Sequence, residues 1–461
     1  MIIRKLLFVS LFLPFSLLFA QQLPLYCGTP ECIERFFAHP AGERSNEPVL
    51  SAPMREQIET GQVDAFYTHI PEQKVKATCV GIGKHLYLYV ENSVLQMVNE
   101  IDTAEIIRVF DTKIYPNAQR HFGSEWKPGL DRDLRITILM HDVGRDRSAR
   151  DYAGYFSPSD QHLDASYSNR REMIYMDTYS FRDRSRWTFF SSLAHEFVHL
   201  VNWYQNGGRT DQRWLEEGMA SFSEWIIYRK IHSIYVEGYL KNPTVSLHSL
   251  DHPDLYYGAS FLLLLYLYEN HGGQNFIRQL IAEDLLGLAG VEAVLRKLGD
   301  AIPIPELVIN WAVANLLNEI DRISDLPLGY DGLPTKFFVQ SNLPIFSGLP
   351  VSRTSEVQPF GIFYAKIVPT VTELTVTLTG NPNQRLEAKV LRLPSDRQEH
   401  ATCVPIPFDT ANRGRLHLTD LETVTDLYLV LTGDQTQQFQ LEIEETLHAD
   451  PTGEPIRTER Q

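Results

Sequence analysis

The pattern of apolar and polar residues changes twice along the chain, and each pattern predicts a different part of the fold. From residue 76 to the end of REMIYMDT, short apolar runs predict strands: a β-hairpin in ATCVGIGKHLYLYVEN and single strands in LRITILMHDV and REMIYMDT. In REMIYMDT, Met173 and Tyr175 should face one side of a sheet, and Ile174 and Met176 the other. Between the hairpin and these strands, SVLQMVNEIDTAEIIRVFDTKIYPNA has a helical period.

The second pattern is helical throughout. A helix over 186–205 should end at the Gly207-Gly208 pair, and a second helix over 212–232 has Asp211 in position to cap it. Further helices are predicted over 259–271, 274–284, 291–298 and 305–318.

The third pattern is strict alternation of apolar and polar residues. It occurs in TELTVTLTG, LEAKVLRLP, RGRLHLTDL, DLYLVLTG and FQLEIEE, at the spacing of successive hairpins. These segments predict a small all-β domain, most simply a sandwich. The fold class is therefore α+β: a mixed sheet over a helical lower half, followed by the sandwich.

The first twenty residues predict an export signal. Arg4 and Lys5 precede an apolar run over 6–19 that ends at the small residue Ala20. The alternative is a membrane anchor, but the run is short for a span, and no later segment is long and apolar enough to cross a bilayer. We therefore expect an exported chain, secreted or periplasmic, without a membrane span in its mature form.

The rest of the chain divides by composition. The expected segments are an N-terminal extension or pro-segment over 21–75, the main domain over 76–325, a Pro/Gly/Ser-containing linker over 326–357, the sandwich over 358–448 and a polar tail over 449–461.

Composition and charge narrow the class of protein. With 43% hydrophobic residues the chain can form a large core, and a formal charge of −16 is not that of a nucleic-acid binder. Four cysteines in an exported chain suit two disulfides, Cys27 with Cys32 and Cys79 with Cys403, although free thiols are the alternative. Their spacing is not that of metal ligands.

The apolar helix over 186–205 contains HEFVH, which places three polar side chains among apolar residues. Burying such side chains costs free energy unless they are bonded. His195 and His199 are four residues apart and therefore share one helix face, which suits two corners of a zinc tetrahedron. Glu196 lies beside them, where it could accept a proton from water. The alternative is a structural role, in which both histidines lie in the core and donate hydrogen bonds to backbone carbonyl oxygens.

The following segment, WLEEGMASFSE, could supply a third metal ligand. Glu216 and Glu217 compete for this role, and Glu217 is favoured because Glu224, seven residues later, shares its helix face and could orient a ligand histidine. For Glu216 the alternative is an ordinary solvated residue. Gly218 would let the two helices approach closely.

HEFVH followed by WLEEGMASFSE resembles the gluzincin metallopeptidases, whose pattern is HExxH and then WLxEGxAxxxxE. AGYFSPSD, SNRREMIYMDT and DLYYGASFLLLLYLYENHGG resemble the hyicolysin-like branch. The resemblance spans about residues 76–318. It implies a zincin-like domain with one zinc ion held by His195, His199 and Glu217, and Glu224 in the shell outside them.

The resemblance also implies a tyrosine or histidine that stabilises the oxyanion. Tyr256 and Tyr257 stand where it is expected, before Gly258, and Tyr257 is preferred; His248 and His252 are outside candidates. The chain lacks the GxMEN segment that gluzincin aminopeptidases carry, so an endopeptidase acting on protein or peptide substrates is preferred to an aminopeptidase.

Two other classes remain open: a binding or adhesion protein on a gluzincin scaffold, and a hydrolase of bonds other than peptide bonds. A calcium site at Asp131 and Asp133 is the less favoured interpretation of GLDRDLRITIL, because such a pair is more often a turn before a strand.

Overall fold

The computed structural model describes residues 26–38, 58–143, 152–248, 253–319, 329–339, 343–396, 399–446, 448–449 and 455–456. The predicted signal peptide and most of the predicted polar tail lie outside these ranges. Within them, no helix combines the length and the apolar character that crossing a bilayer requires.

A seven-stranded mixed sheet forms the first layer. Its strands are β1 (Tyr26–Cys27), β2 (Val63–His69), β3 (Glu72–Ile82), β4 (Leu86–Glu91), β5 (Ile136–His141), β6 (Tyr152–Phe156) and β7 (Met173–Asp177). From edge to edge the order is β1-β6-β7-β5-β4-β3-β2. The predicted hairpin is β3–β4. Strands β1 and β2 show that residues within 21–75 also contribute to this sheet.

The two faces of the sheet are buried against different partners. Ile174 and Met176 belong to the large core that the sheet shares with the helices, whereas Met173 and Tyr175 belong to a smaller cluster on the opposite face. The predicted alternation in β7 is thus confirmed. On the smaller side, Tyr155 stacks on Tyr175 with 4.3 Å between the ring centroids.

Eleven helices are described outside the sheet. They are α1 (Thr29–Ala38), α2 (Glu100–Val109), α3 (Tyr115–Phe122), α4 (Thr178–Asp183), α5 (Arg186–Gln205), α6 (Arg213–Tyr228), α7 (Ser233–Lys241), α8 (Pro253–Asn270), α9 (Gln274–Ile281), α10 (Gly287–Lys297) and α11 (Ile304–Leu317). A π-helical turn over Phe110–Ile114 joins α2 to α3. The predicted bounds of α5 are confirmed, and α6 ends four residues before its predicted end.

The predicted cap of α6 is wrong. The N-cap position is occupied by Gln212, whose side chain makes no capping bond. Asp211 lies one residue too early, and its Oδ1 instead accepts hydrogen bonds from the backbone N–H groups of Gln212, at 2.5 Å, and Gly287, at 2.7 Å. Asp211 therefore joins the start of α6 to the start of α10.

Helices α6 and α7 pack closely on α8 because a glycine lies at each of these two contacts. A Cβ at Gly218 of α6 would lie 2.9 Å from the Cβ of Ser260 on α8. A Cβ at Gly258 of α8 would lie 2.1 Å from the carbonyl oxygen of Tyr235 on α7. These approaches hold α6 and α7 against the buried helix α8.

An all-β sandwich follows the helices. Its strands are β8 (Ile345–Phe346), β9 (Val351–Val357), β10 (Ile362–Ile367), β11 (Leu374–Thr379), β12 (Leu386–Pro394), β13 (Thr402–Pro405), β14 (Arg413–Leu418), β15 (Val424–Gly433) and β16 (Gln437–Glu445), and a small ribbon pairs β17 (His448–Ala449) with β18 (Pro455–Ile456). One sheet has the order β13-β12-β15-β10-β8 and the other β14-β11-β16-β9, with an apolar core between them. Strands β8 and β9 lie within the range predicted as a linker.

The five-stranded sheet of the sandwich also packs against the helices. The hydroxyl of Tyr364 donates to the carbonyl oxygen of Ala312 in α11 at 2.8 Å, and Lys389 Nζ donates to Asn310 Oδ1 at 2.7 Å. Both faces of this sheet are therefore covered.

The predicted disulfides are wrong, since all four cysteines are free. Cys27 ends β1, whereas Cys32 lies on α1 in the cluster behind the first sheet, so their side chains enter different surroundings. Cys79 is fully buried in that same cluster, and Cys403 lies on β13 of the sandwich.

Asp131 and Asp133 form a turn before β5. The Asp133 backbone N–H donates to Asp131 Oδ1 at 3.1 Å, and the hydroxyl of Tyr87 donates to Asp133 Oδ2 at 2.6 Å. The Arg135 guanidinium lies 3.7 Å from Asp133 Oδ1. These contacts give both carboxylates a role in the turn.

We expect Gly258→Ala to destabilise the chain by about 1–3 kcal/mol, because the added methyl group overpacks the contact between α7 and α8. Gly348→Ala is the control, since nothing lies within 4 Å of a Cβ at that position. Urea unfolding followed by circular dichroism measures both. Equal midpoints for the two variants would contradict the close approach at Gly258.

Candidate metal centre

Four side chains from three elements meet at the junction of the sheet and the helices. His195 and His199 project from one face of α5, Glu217 comes from α6, and Cys27 comes from β1; their candidate ligand atoms all lie within 4.8 Å of one another. His195 Nε2 lies 3.2 Å from Glu217 Oε2, and His199 Nε2 lies 3.5 Å from Glu217 Oε1. This group can hold one metal ion, and no other such group occurs among the described residues.

The burial of the Glu217 carboxylate favours the binding of a cation to these four side chains. Glu217 has no exposed surface, and its Oε1 atom has no hydrogen-bond partner among the described residues. Burial favours the neutral acid, but the imidazoles of His199 and His195 hold the pKa of Glu217 well below its usual range. A buried carboxylate is costly unless opposite charge satisfies it, so the donor set fits a metal ion.

The second ring nitrogen of His195 is held by a buried carboxylate. Its Nδ1 lies 2.9 Å from Glu224 Oε1, and His232 Nε2 lies 2.7 Å from the other oxygen of Glu224. Burial opposes the ionisation of Glu224, but His232 and His195 lower its pKa to about 2. A carboxylate in this position fixes the orientation and tautomer of a ligand imidazole.

Glu196 lies one residue after His195 on α5, and only 1% of its surface is exposed. Its Oε2 accepts a 2.8 Å hydrogen bond from the hydroxyl of Thr29. Burial raises the pKa of Glu196 above its usual value, although His195 and His199 act in the opposite direction. A raised pKa suits a carboxylate that must accept and return a proton.

Glu216, the rival of Glu217 in the sequence, is not in the group. Its Oε1 accepts a 2.7 Å hydrogen bond from the backbone N–H of Asp211. It is partly buried rather than fully solvated, and this burial raises its pKa to about 8.

A cleft of about 230 Å³, partly open to solvent, adjoins the group. His195, Glu196, Glu224 and Tyr257 are among the residues that line it, whereas Tyr256 is not. Tyr256 stacks on Tyr257 with 4.9 Å between the ring centroids.

Of the two outside histidine candidates, His248 is not brought to the group. The ring of His248 packs 5.6 Å from that of Phe360 and 6.5 Å from that of Trp214. His252 lies outside the described residues.

Strands β1 and β6 lie at the cleft, which Tyr26, Cys27 and Ala153 line. Strand β7 is paired along its length by β5 and β6, whereas β6 is paired by β7 on one side and only by the two-residue β1 on the other. A Cβ at Gly154 of β6 would lie 3.1 Å from Glu196 Cγ, which places this strand directly over α5.

Three residues near the group were missed from the sequence: Cys27, Thr29 and His232. The interpretation of the cysteines as unsuited to metal binding was wrong for Cys27, whose Sγ lies 3.5 Å from His199 Nε2. These contacts join segments far apart in the chain, and no local spacing marks them.

The group is consistent with a site for one metal ion beside a cleft, and one comparison with known proteins points to a metal-dependent relative. The chain is 26% identical over 273 residues to the neutral metalloprotease ShpI of Staphylococcus hyicus. This match covers 55% of the chain and 60% of that protein, so the chain spans less than two thirds of its relative. No family model matches the sequence.

Matches to solved structures are weak. The pre-peptidase C-terminal domain of a collagenase from Bacillus anthracis matches 22% of this chain and 96% of its own, with 9% identity and a TM-score of 0.18. The Yersinia pseudotuberculosis-derived mitogen YPM matches 23% of this chain and 98% of its own, with 14% identity and a TM-score of 0.17. Scores this low carry no argument about the fold.

We expect Glu217→Gln to weaken zinc binding by more than the roughly 10–100-fold that loss of an outer-shell partner costs. Glu216→Gln, a change of the same kind at the neighbouring residue, should leave the affinity unchanged. Titration against a competing chromophoric chelator measures both. Equal affinities for the two variants would contradict the placement of Glu217 in the metal centre.

Proposed function

We propose that this chain is an exported zinc-dependent peptidase that hydrolyses peptide bonds with water, using Glu196 as the general base. The observation that carries the proposal is the position of the Glu196 carboxylate, which lies beside two imidazoles and a carboxylate that can hold one metal ion, at the wall of a cleft. The similarity to a protein described as a neutral metalloprotease supports it.

Zinc is the metal that this donor set fits best. Two imidazoles and one carboxylate are a frequent set in catalytic zinc sites, and His195, His199 and Glu217 would be these ligands. The gluzincin resemblance of HEFVH and WLEEGMASFSE supports the same assignment. When bound, zinc supplies a Lewis acid that polarises a carbonyl and makes water more acidic.

Glu196 would accept a proton from the attacking water and return it to the leaving amine. Its buried carboxylate has a raised pKa, so that it holds a proton more readily than an exposed glutamate does. Glu224 would act through His195, since its 2.9 Å contact with Nδ1 keeps the other ring nitrogen directed at the metal position.

Tyr257 would stabilise the oxyanion that forms when water adds to the carbonyl. It lines the cleft, and its ring centroid lies 6.3 Å from that of His195. Burial and the carboxylate of Glu217 raise the pKa of Tyr257 well above its usual value. Its hydroxyl therefore stays protonated and can donate a hydrogen bond.

We infer a polypeptide substrate that is cut at internal bonds. The cleft lies beside strand β6, which is separated from the edge of the sheet only by the two-residue strand β1. An extended peptide can pair with a sheet edge of this kind. The absence of a GxMEN segment from the sequence supports endopeptidase over aminopeptidase activity.

We expect Glu196→Gln to lower kcat by about 10²–10⁴-fold, because the amide cannot accept the proton. The chain should still bind one zinc ion, since the three proposed ligands are unchanged. Hydrolysis of casein and of quenched fluorescent peptides measures the rate, with Glu216→Gln as the control.

Both variants are assayed in the wild-type chain and in a Cys27→Ala chain, because Cys27 contacts Glu196 at 3.4 Å. Equal rates of hydrolysis by the wild-type and Glu196→Gln chains would rule out Glu196 as the general base. A zinc-loaded chain that hydrolyses neither substrate in either background would instead favour a binding protein, or a hydrolase of other bonds, which amide and ester substrates would reveal.

We expect Tyr257→Phe to lower kcat by about 10²–10³-fold with little change in KM, since its hydroxyl acts only on the oxyanion. Tyr256→Phe removes the same hydroxyl from the neighbouring, stacked ring and should have little effect. Steady-state kinetics on one fluorescent peptide separates the two, and a larger loss of kcat at Tyr256 would reverse the assignment.

A further inference from the structure

The structure assigns to Cys27 the place of a fourth protein ligand of the metal centre. We propose that the segment around it, from β1 to the end of α1 (residues 26–38), holds the site in a latent form. The ligand assignment stands on the geometry of the chain, whereas the latency rests on the proposed function.

The position of the sulfur carries the first step of the argument. Cys27 Sγ lies 3.5 Å from His199 Nε2, and it belongs to the group whose ligand atoms are all within 4.8 Å of one another. A catalytic zinc site keeps one of its four positions open for water, whereas four protein ligands close it. With the thiolate of Cys27 bound, the centre has the closed set.

The general base is covered by the same segment. The thiol of Cys27 lies 3.4 Å from Glu196 Oε2, and the hydroxyl of Thr29 donates to that same oxygen at 2.8 Å. This hydroxyl also accepts a 2.8 Å hydrogen bond from the backbone N–H of Phe156 in β6. The segment therefore occupies both the open metal position and the atom that would accept a proton from water.

The backbone of the segment occupies the sheet edge that a substrate would use. Strand β1 pairs in parallel with β6, with Cys27 opposite Gly154, and the N–H of Gly28 donates to the Gly154 carbonyl oxygen at 3.0 Å. An extended peptide cannot pair with this part of β6 while β1 is there.

Helix α1 fastens the segment to the body of the protein. Phe36 is buried, and its ring meets that of Trp203 edge-on, with 5.7 Å between the centroids. Arg35 donates to the carbonyl oxygen of His69 at 2.7 Å, and Glu34 lies 3.3 Å from the Arg213 guanidinium. The thiol is thus presented by a docked helix.

Opening requires an exchange of ligands at the metal position and the release of β1 from β6. The Cys27 thiolate would leave the metal position and take up one proton from solvent, and a water molecule would replace it there. The Thr29 hydroxyl leaves Glu196 in the same movement, so that the base and the metal position are freed together. No oxidant or reductant is consumed.

Cobalt(II) substitution of the full chain tests the ligand directly. The wild-type cobalt form should show the intense near-ultraviolet absorption of a thiolate-to-cobalt transition, and Cys27→Ala should lose it. Cys403→Ser is the control and should keep it, because Cys403 lies in the sandwich. A wild-type spectrum without this absorption, or a Cys27→Ala spectrum that retains it, would overturn the assignment.

Thiol labelling tests the ligand role of Cys27 in the wild-type chain, without any substitution. Zinc should slow the alkylation of Cys27 by iodoacetamide roughly tenfold or more, since only the small population with the thiol released can react. Alkylation of Cys403, followed by mass spectrometry in the same sample, should not change. Equal labelling of Cys27 with and without zinc would contradict the ligand role.

Peptide hydrolysis tests the latency. Cys27→Ala should raise kcat/KM roughly tenfold or more over the wild type, and Cys403→Ser should not. Wild-type and Cys27→Ala chains that cleave equally fast would refute the latency, while the peptidase function would stand. A cobalt–thiolate absorption in a chain without any peptidase activity would uphold the ligand and refute the function.

Discussion

The structure depends on one buried interaction, the contact of the Glu217 carboxylate with the imidazoles of His195 and His199. Glu217 has no exposed surface, and its Oε1 accepts no hydrogen bond within the described part of the chain. A charge this deeply buried is stable only when opposite charge satisfies it. The three side chains are therefore arranged for a cation, and the elements around them serve to hold that arrangement.

The packing supports this arrangement from several sides. Apolar residues surround α5 and join it to the core under the sheet, which fixes both histidines on a rigid helix. Gly218 lets α6 approach α8, and Gly154 lets β6 approach Glu196. Glu224 then orients His195, and His232 in turn contacts Glu224. Structure and chemistry are thus coupled through a few close approaches.

Local patterns in the sequence predicted the parts of the site that depend on local geometry. The helical period and the paired glycines gave α5 its bounds, and the spacing of HEFVH gave the shared face of His195 and His199. The helix face shared with Glu224 favoured Glu217 over Glu216, and Glu217 is the one of these two that lies in the group. Long-range pairing could not be predicted in the same way: Cys27 meets Glu196 across 169 residues, and β1 is too short to carry a pattern. The even number of cysteines favoured disulfides that the structure does not contain.

X-ray absorption at the zinc edge tests the central claim most directly, because it reports the ligands themselves. After the full chain is loaded with zinc and the unbound metal is removed, we expect one ion per chain, with the scattering of imidazole rings whose nitrogens lie about 2.0–2.1 Å away. A folded chain that retains no zinc, or a spectrum of an ion surrounded only by water oxygens, would contradict the account.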